Sequence, residues 1–229
     1  MRLNKFLSRY GVCSRREADR AIEDGRVRVN ENEAVLGQDV DPQKDEVYFD
    51  GKRIREKPGR IVIAYNKPAG IVCSTVSQAG EKNDVISAIG IKDVRIFPIG
   101  RLDKDSTGLL LLTNDGEFCD RVLRGINGHE KEYIVRTDSE FTEGELEKIR
   151  LGGIPLEEKR STRPCRVRKK GRCLYDFILT EGMNRQIRRV CEFFGKKVIS
   201  LERIRFMNIT LGDLQEGSYR VLKDGEIDG

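Results

Sequence analysis

Apolar residues recur along this chain in short blocks whose spacing alternates between helical and extended periods. Helical spacing and capping signals predict two helices within residues 2–24 and further helices at 85–89, up to Leu123, from Thr142 to Gly152, and over 185–194. Apolar runs predict strands at 26–30, 61–65, 94–97, 109–112, 133–135, 165–168, 174–180, 198–204 and 206–209, with short strands around Val35, Val40, 47–49 and Ile54. This order predicts an α+β fold, in which helices flank a mainly antiparallel mixed sheet.

The N-terminal quarter of the chain forms a separate block of the pattern. Residues 14–17 read Ser-Arg-Arg-Glu, which is the capping box that opens the second helix. Alternation in the strand that follows places Arg26 and Arg28 on one face. The polar segment 55–60 then breaks the pattern, as linkers do. The sequence therefore predicts a small domain over residues 1–56 and a larger one over 61–229.

Composition limits the class of protein. The chain has 229 residues, of which 35% are charged, and a mean hydropathy of −0.53. Its apolar runs are shorter than the roughly 18 residues that a membrane span needs, and the N-terminus lacks the apolar stretch of a signal peptide. The six cysteines contain no C-x-x-C pair, so we expect reduced thiols in a cytoplasmic protein. Cys165 and Cys173 could face each other on paired strands, but we expect no disulfide there.

The motifs of metal and nucleotide chemistry are missing from the sequence. His129 is the only histidine, which excludes histidine-rich metal sites and H-E-x-x-H chemistry. A Ser-His-Asp triad would need His129, and no G-x-S-x-G elbow accompanies it. The sequence also lacks G-x-x-x-x-G-K-[ST] and G-x-G-x-x-G. We therefore expect neither a metal nor a cofactor.

The net charge of +5 hides two strongly basic segments. The first, within residues 1–30, includes Arg9, Arg15, Arg16, Arg26 and Arg28, and the second runs from residue 160 to 205. Two basic segments at opposite ends of a chain predict a polyanion that is held at two places. The alternative is that each segment is only a solvated face.

The segment 100–109, Gly-Arg-Leu-Asp-Lys-Asp-Ser-Thr-Gly-Leu, is the most informative part of the chain. It places Asp103 two residues from Arg101, in a glycine-bounded turn that leads into a buried strand. A carboxylate in such a place stays ionised and poorly mobile, which suits a nucleophile or a base. The alternative is an ordinary turn aspartate in an ion pair.

The helix predicted over 185–194 is the second informative feature. Its apolar residues share one face, and Arg185, Arg188 and Arg189 share the opposite face. Because a guanidinium binds carboxylate or phosphate with a fixed fork, one of these arginines can pair with Asp103 while the others hold RNA phosphates. The alternative is an amphipathic surface helix with arginines in water.

Together these segments resemble a known family. The motifs are Lys67-Pro68-x-Gly70, Gly100-Arg101-Leu102-Asp103-x-x-Ser106-x-Gly108-Leu109, Lys131-x-Tyr133-x-Val135 and Asn184-Arg185-Gln186-Ile187-Arg188-Arg189. In this order they are similar to the motifs of the RsuA-type ribosomal RNA pseudouridine synthases. Residues 1–50 resemble the S4 RNA-binding domain that precedes the catalytic domain in that family. The stretch from Leu123 to Tyr133 is most similar to a branch that modifies large-subunit (23S) rRNA.

The resemblance implies a reaction and a set of roles. A flipped-out uridine in an rRNA stem-loop is detached from its ribose, rotated and rejoined through carbon. The resemblance assigns catalysis to Asp103, Tyr133 and Arg188, with Arg188 as the ion-pair partner of Asp103. It implies RNA contacts by Arg101, Asn184, Arg185, Arg189 and the N-terminal arginines, and structural support from Lys67; His129 has no catalytic role. It also implies a monomer without a cofactor.

Two alternatives stay open at this point. The chain could be a synthase that acts on tRNA or on another rRNA site, because sequence does not identify the uridine. It could also be a non-catalytic S4-type RNA-binding or ribosome-assembly protein. A pure binder, however, has no reason to hold an aspartate beside arginines in a tight turn.

Overall fold

The computed structural model describes residues 1–55, 58–74, 83–91, 94–124, 128–158 and 160–227. The chain divides into two compact units. The first contains Met1–Ile61, Ile91–Ile96 and Asn114–Gly116, and the second contains Val62–Gly90, Phe97–Thr113 and Glu117–Gly229. The predicted linker includes Glu56 and Lys57, which lie outside the described residues, so the domain boundary stays a prediction.

The first unit packs two helices on a small antiparallel sheet. Its elements are α1 (Leu3–Arg9), α2 (Arg15–Glu23), β1 (Val27–Val29), β2 (Asn32–Glu33), β3 (Val47–Phe49) and β4 (Lys52–Arg53). The strand order is β2-β1-β3-β4, and apolar residues of both helices and of β1 form the core. The predicted capping box is confirmed, because the Ser14 side chain accepts from Glu17 N while the Glu17 carboxylate accepts from Ser14 N.

The strands predicted around Val35 and Val40 are wrong. Val35 is 65% exposed and its carbonyl accepts from Gln38 N, so the chain turns there instead of extending β2. Val40 is buried, but its N–H donates to the carbonyl of Met1 rather than to a neighbouring strand. Ile54 lies just beyond β4.

The second unit is built on one mixed sheet with helices packed against it. Its strands are β5 (Val62–Lys67), β6 (Phe97–Pro98), β7 (Thr107–Thr113), β8 (Lys131–Thr137), β9 (Pro155–Glu157), β10 (Arg160–Ser161), β11 (Arg166–Gly171), β12 (Leu174–Leu179), β13 (Val198–Phe206), β14 (Ile209–Thr210) and β15 (Tyr219–Val221). Its helices are α3 (Val85–Ile89), α4 (Gly116–Leu123), α5 (Glu143–Leu151), α6 (Gln186–Phe193) and α7 (Asp224–Ile227).

The main sheet has the order β11-β12-β8-β13-β7-β5-β15, with β14 beside β13 and β6 beside β7. Its pairs are antiparallel except for β7 and β13, which are parallel. One apolar core lies under α5 and α6 on the β12-β8 side, and another joins β5 and β7 to α4 and α7. The predicted α+β class with a mainly antiparallel mixed sheet is confirmed.

Several element boundaries differ from the prediction for local reasons. Helix α6 begins at Gln186, because Arg185 has a left-handed backbone with φ of 50°. The two strands predicted over 198–209 are one long strand, β13, followed by short β14. Lys67 belongs to β5 rather than to the turn after it, and the strand predicted over 94–97 keeps only its end in β6. Strands β9, β10 and β15 and helix α7 were not predicted from the sequence.

The cysteines and the helices of the described residues bear on two further features of the sequence. All six cysteines, including Cys165 and Cys173, are free thiols. Among the described helices, none combines the length and apolarity needed to cross a membrane.

Candidate active site

Asp103 lies in a loop, residues 100–106, that enters the central strand β7. The loop is closed by a turn in which Ser106 N donates to Asp103 O at 3.0 Å. Leu102 on one side of Asp103 is buried, and its N–H points at the Cys73 sulfur at 3.4 Å. A buried neighbour and a closed turn together limit the movement of the Asp103 backbone.

Lys67 supports this loop from below. Its side chain is completely buried at the end of β5. The Nζ group donates to the carbonyls of Pro68 at 2.8 Å, Ile71 at 2.9 Å and Lys104 at 3.2 Å. Burial lowers the pKa of Lys67, and the nearby acidic groups oppose this shift. The ammonium group therefore connects the turn after β5 to the residue that follows Asp103.

Two arginines approach the Asp103 carboxylate. Arg185 Nη1 lies 3.7 Å and Arg188 Nε lies 3.6 Å from Asp103 Oδ2. The Arg188 side chain is only 11% exposed, and its Nη2 group also donates to Ser106 Oγ at 3.2 Å. Arg188 therefore holds both ends of the Asp103 turn. The structure brings together Asp103 and Arg188, the ion pair that the family resemblance implies, and it adds Arg185.

The residues before α6 are also fixed by hydrogen bonds. Gln186 Oε1 accepts from Met183 N at 3.0 Å, and Gln186 Nε2 donates to Glu181 Oε1 at 2.7 Å. Gln186 is buried, so these bonds are shielded from water. They hold the segment that leads to Arg185, whose left-handed backbone stands at the start of α6 and whose side chain reaches Asp103.

Asp103 and Tyr133 line one cleft of about 380 Å³ in the second unit. Arg101, Asn184 and Arg185 also line it. A smaller cavity of about 80 Å³ adjoins Asp103 and Tyr133 and is lined by Arg188. The structure thus brings six of the predicted site residues to one place.

Other predicted residues lie elsewhere. Arg189 lies on α6 but points at Glu157 of β9, with 3.5 Å between Nη1 and Oε1, and it does not line the cleft. In the first unit, Arg15 and Arg16 are exposed at the start of α2. Arg26 is held by a two-bonded pair with Asp50, at 2.8 and 2.6 Å.

The remaining two N-terminal arginines differ in their surroundings. Arg28 is exposed on β1, with its guanidinium 5.7 Å from the centre of the Tyr48 ring. Arg9 ends α1 and is half-buried.

The cleft also contains residues that the sequence analysis did not assign to the site. Lys131 and Arg203 line it beside Phe206, and we call this part of the lining the floor of the cleft. Glu181 and His129 also line it. Burial and the charge of Arg203 lower the pKa of Lys131, while Glu181 opposes the shift. Burial and Lys131 lower the pKa of His129. Lys131 stands two residues before Tyr133 on the same strand face, which was the signal available in the sequence.

This arrangement suits chemistry on a nucleotide taken out of its helix. The cleft presents one carboxylate, one phenol ring and several guanidinium groups. A flipped base can stack on the ring, the arginines can bind phosphates, and the carboxylate can reach the sugar. Among the described residues no group of acidic, histidine and cysteine side chains could hold a metal ion.

Comparison with known proteins agrees with this chemistry. The family model described as RNA pseudouridylate synthase matches residues 61–193, and the S4 domain model matches residues 1–47. A solved structure described as a pseudouridylate synthase aligns with 100% of this chain and with 98% of the residues of that structure. The TM-score is 0.72 and the sequence identity is 28%. The catalytic match contradicts the alternative of a non-catalytic S4-type protein.

Curated relatives extend the similarity over almost the full length. The dual-specificity RNA pseudouridine synthase RluF of Escherichia coli strain K12 is 44% identical over 99% of this chain and 77% of its own. The ribosomal large subunit pseudouridine synthase B of Pseudomonas aeruginosa is 36% identical over 99% of this chain and 61% of its own. With a catalytic-family match over more than half of its length and relatives this close, the chain belongs to the RNA pseudouridine synthases that carry an N-terminal S4 domain.

Proposed function

We propose that this enzyme converts a specific uridine of 23S rRNA to pseudouridine and that Asp103 is its catalytic carboxylate. The observation that carries the proposal is the position of Asp103, which lies 3.6 and 3.7 Å from two arginines and lines the same cleft as Tyr133. Two guanidinium groups this close can hold a carboxylate in one orientation for reaction. Asp103 is therefore the nucleophile or base that acts on the ribosyl part of the flipped-out uridine.

The reaction is an isomerisation. The N1–C1′ bond of the uridine breaks, the free uracil turns, and a C5–C1′ bond forms. The hydrogen on C5 is lost and N1 gains one, so the atoms balance and no electron acceptor is needed. Tyr133 stacks on the base and moves a proton, and Arg188 keeps Asp103 oriented.

RNA is held by contacts on both parts of the chain. Arg101, Asn184 and Arg185 at the cleft bind the flipped nucleotide and its phosphates, and Arg189 at the flank of α6 adds charge. In the first unit, Arg9, Arg15, Arg16, Arg26 and Arg28 bind the phosphates of an RNA stem. We further propose that the enzyme acts as a monomer. A ribosomal RNA substrate places it in the cytoplasm.

A second candidate is action on more than one class of RNA, including tRNA. It is favoured by the 44% identity to a relative named a dual-specificity RNA pseudouridine synthase. In both candidates the chemistry at Asp103 is the same, and only the RNA that reaches the cleft differs.

The test combines mapping with one variant. Pseudouridine is mapped in rRNA and tRNA from cells that lack the gene and that carry either the wild-type gene or Asp103→Asn. We expect one 23S rRNA site to depend on the wild-type gene and to stay unmodified with Asp103→Asn, because the amide keeps the shape but loses the charge. A dependent site in tRNA as well favours the second candidate.

Binding measurements separate catalysis from affinity. Purified Asp103→Asn should still bind the mapped RNA, since affinity comes mainly from phosphate contacts. The contrasting variant is Arg15→Gln with Arg16→Gln, which should weaken binding and reduce its salt dependence without abolishing turnover at saturating RNA. Pseudouridine formation by pure Asp103→Asn protein would show that the assignment of Asp103 is wrong.

A further inference from the structure

The floor of the cleft contains a buried cation whose hydrogen bonds are incomplete. Arg203 of β13 is only 2% exposed. Its Nε group donates to the carbonyl of Leu109 at 2.7 Å, while its Nη2 group is buried without any hydrogen-bond partner. Within the described part of the chain, no carboxylate forms an ion pair with it. A buried guanidinium with an unused donor is costly unless something binds to it.

A second cation lies beside it. Lys131 of β8 is half-buried, and its Nζ group lies 3.4 Å from the His129 carbonyl oxygen and 5.3 Å from the centre of the Phe206 ring. The guanidinium of Arg203 lies 5.1 Å from the centre of the same ring. Both side chains line the cleft, so Phe206 supports two positive charges at its floor.

The strand register places these cations next to Tyr133. Arg203 is the direct cross-strand partner of Tyr133, and Phe206 is that of Lys131. Lys131 and Tyr133 are two residues apart on one strand and share a face. The cations therefore lie beside Tyr133, the ring on which the target base is proposed to stack.

Neither acidic residue of the cleft neutralises this pair by direct contact. Asp103 faces Arg185 and Arg188. Glu181 accepts hydrogen bonds from Arg163 N at 2.9 Å and from Gln186 Nε2 at 2.7 Å. The positive charge on the floor is therefore left for a group that enters the cleft.

We propose that Arg203 and Lys131 form an oxyanion-binding site for the target nucleotide. When the N1–C1′ bond breaks, the bonding electrons leave with uracil and spread onto its carbonyl oxygens, which fixed donors stabilise strongly in a dry pocket. A phosphate of the flipped nucleotide supplies the same chemistry, an anionic oxygen. The proposal rests on the proposed role of the cleft as the active site, but it does not depend on which RNA is modified.

The test uses RNA from cells that lack the gene, because this RNA contains the unmodified target whichever class it belongs to. Single-turnover rates are measured for Lys131→Met, which keeps the apolar stem, for Lys131→Arg, which keeps the charge, and for Arg203→Lys. The matched control is Arg136→Met, which removes a charge from an exposed position of the same strand. Thermal unfolding is recorded for every variant.

We expect Lys131→Met to lose about 10²-fold in rate, as when one oxyanion donor is removed, with a normal melting temperature. Lys131→Arg should restore most of the rate, and Arg136→Met should behave as wild type. If Lys131 had only a structural role, Lys131→Met and Lys131→Arg would not differ in rate while both melt at the normal temperature. Arg203→Lys should also be slow, because the single nitrogen of a lysine cannot occupy both the Nε position that bonds Leu109 and the Nη2 position that is left for the ligand.

A stem-loop around the mapped uridine identifies the source of the oxygen. In one version the target nucleotide is abasic, so that its phosphates remain but the base is gone. If the ligand is uracil, the variants bind the abasic RNA as wild type does; if the ligand is a phosphate, they bind it more weakly. Wild-type rates for both Lys131→Met and Arg203→Lys would overturn the proposal, and so would an unfolded Arg203→Lys beside a fully active Lys131→Met. Neither result would affect the Asp103 test.

Discussion

Replacing Lys67 by Met should destabilise the second unit and slow the reaction. Methionine has a similar length and fills the same buried space, so packing is largely kept. After the substitution, the Lys104 carbonyl still accepts a hydrogen bond from Gly70 N at 2.8 Å. The carbonyls of Pro68 and Ile71, however, lose the ammonium group that donates to them. Each orphaned acceptor costs about 1–3 kcal/mol. Removing a buried charge recovers part of this cost, which leaves a net loss of about 3 kcal/mol.

The assay is equilibrium unfolding of the full chain, followed by a thermal scan. A loss of about 3 kcal/mol should lower the melting temperature of a unit of this size by about 6–12 °C. The turnover of the remaining folded protein should also fall, because the residue after Asp103 loses one of its two ties to the neighbouring turn. A melting temperature equal to that of the wild type would refute the reasoning, since it would mean that water replaces the ammonium group at no cost.

Three further perturbations test other parts of the structure. Arg188→Ala should fold normally yet lose about 10²-fold in turnover as Asp103 loses its position, and Arg188→Lys should recover only part, as single-turnover rates will show. Gly108→Ala should cost more than about 3 kcal/mol by urea unfolding, because a Cβ there would lie 2.3 Å from the Arg203 carbonyl and φ is +94°. Hydrogen bonds to the Ser14 backbone and side chain lower the pKa of Glu17. The ionised Glu17 therefore stabilises the folded state fully above its unfolded pKa of about 4.3, and this stabilisation is lost as pH falls through the lower folded pKa. The difference between wild type and Glu17→Ala, no more than about 1 kcal/mol at neutral pH because the carboxylate is exposed, should therefore vanish in acid.

Two substitutions serve as controls for these predictions. Gly116→Ala adds a Cβ that meets nothing within 4 Å at the start of α4, so it should leave stability nearly unchanged. Arg189→Ala removes the same charge from the same helix as Arg188→Ala, but on the side that faces Glu157. If Arg189→Ala were the slower enzyme, the choice of arginine would be wrong.

Local signals in the sequence were enough for most of the fold. The two capping boxes at Ser14 and Thr142 begin helices as predicted, because the bonds that define them connect residues only three positions apart. The continuous apolar run of β7 was recognisable for the same reason. Failures came where long-range contacts decide the structure, as at Val40, whose N–H pairs with the carbonyl of Met1.

The same distinction holds for the site. Asp103 and the arginines near Gly182 were found because each stands in a dense local motif. Arg203 was missed, because nothing beside it in the sequence indicates that it is buried opposite Tyr133. That position follows from the register between β8 and β13, which only the folded sheet defines. Left-handed Arg185 was also unpredicted, since the pattern of α6 continues through it.

The parallel pairing of β7 with β13 divides the chemistry between two pieces of the sheet. It has only two register pairs, Thr107 with Glu202 and Gly108 with Arg203. We call this parallel contact the seam. Asp103 and Lys67, which supports its loop, lie on the β7 side of the seam, and Tyr133 lies on β8, on the other side. Parallel partners so distant in the chain meet slowly, and the enzyme is inert until they do. Turnover is therefore a readout of closure across this seam, a property that secondary-structure content alone does not measure.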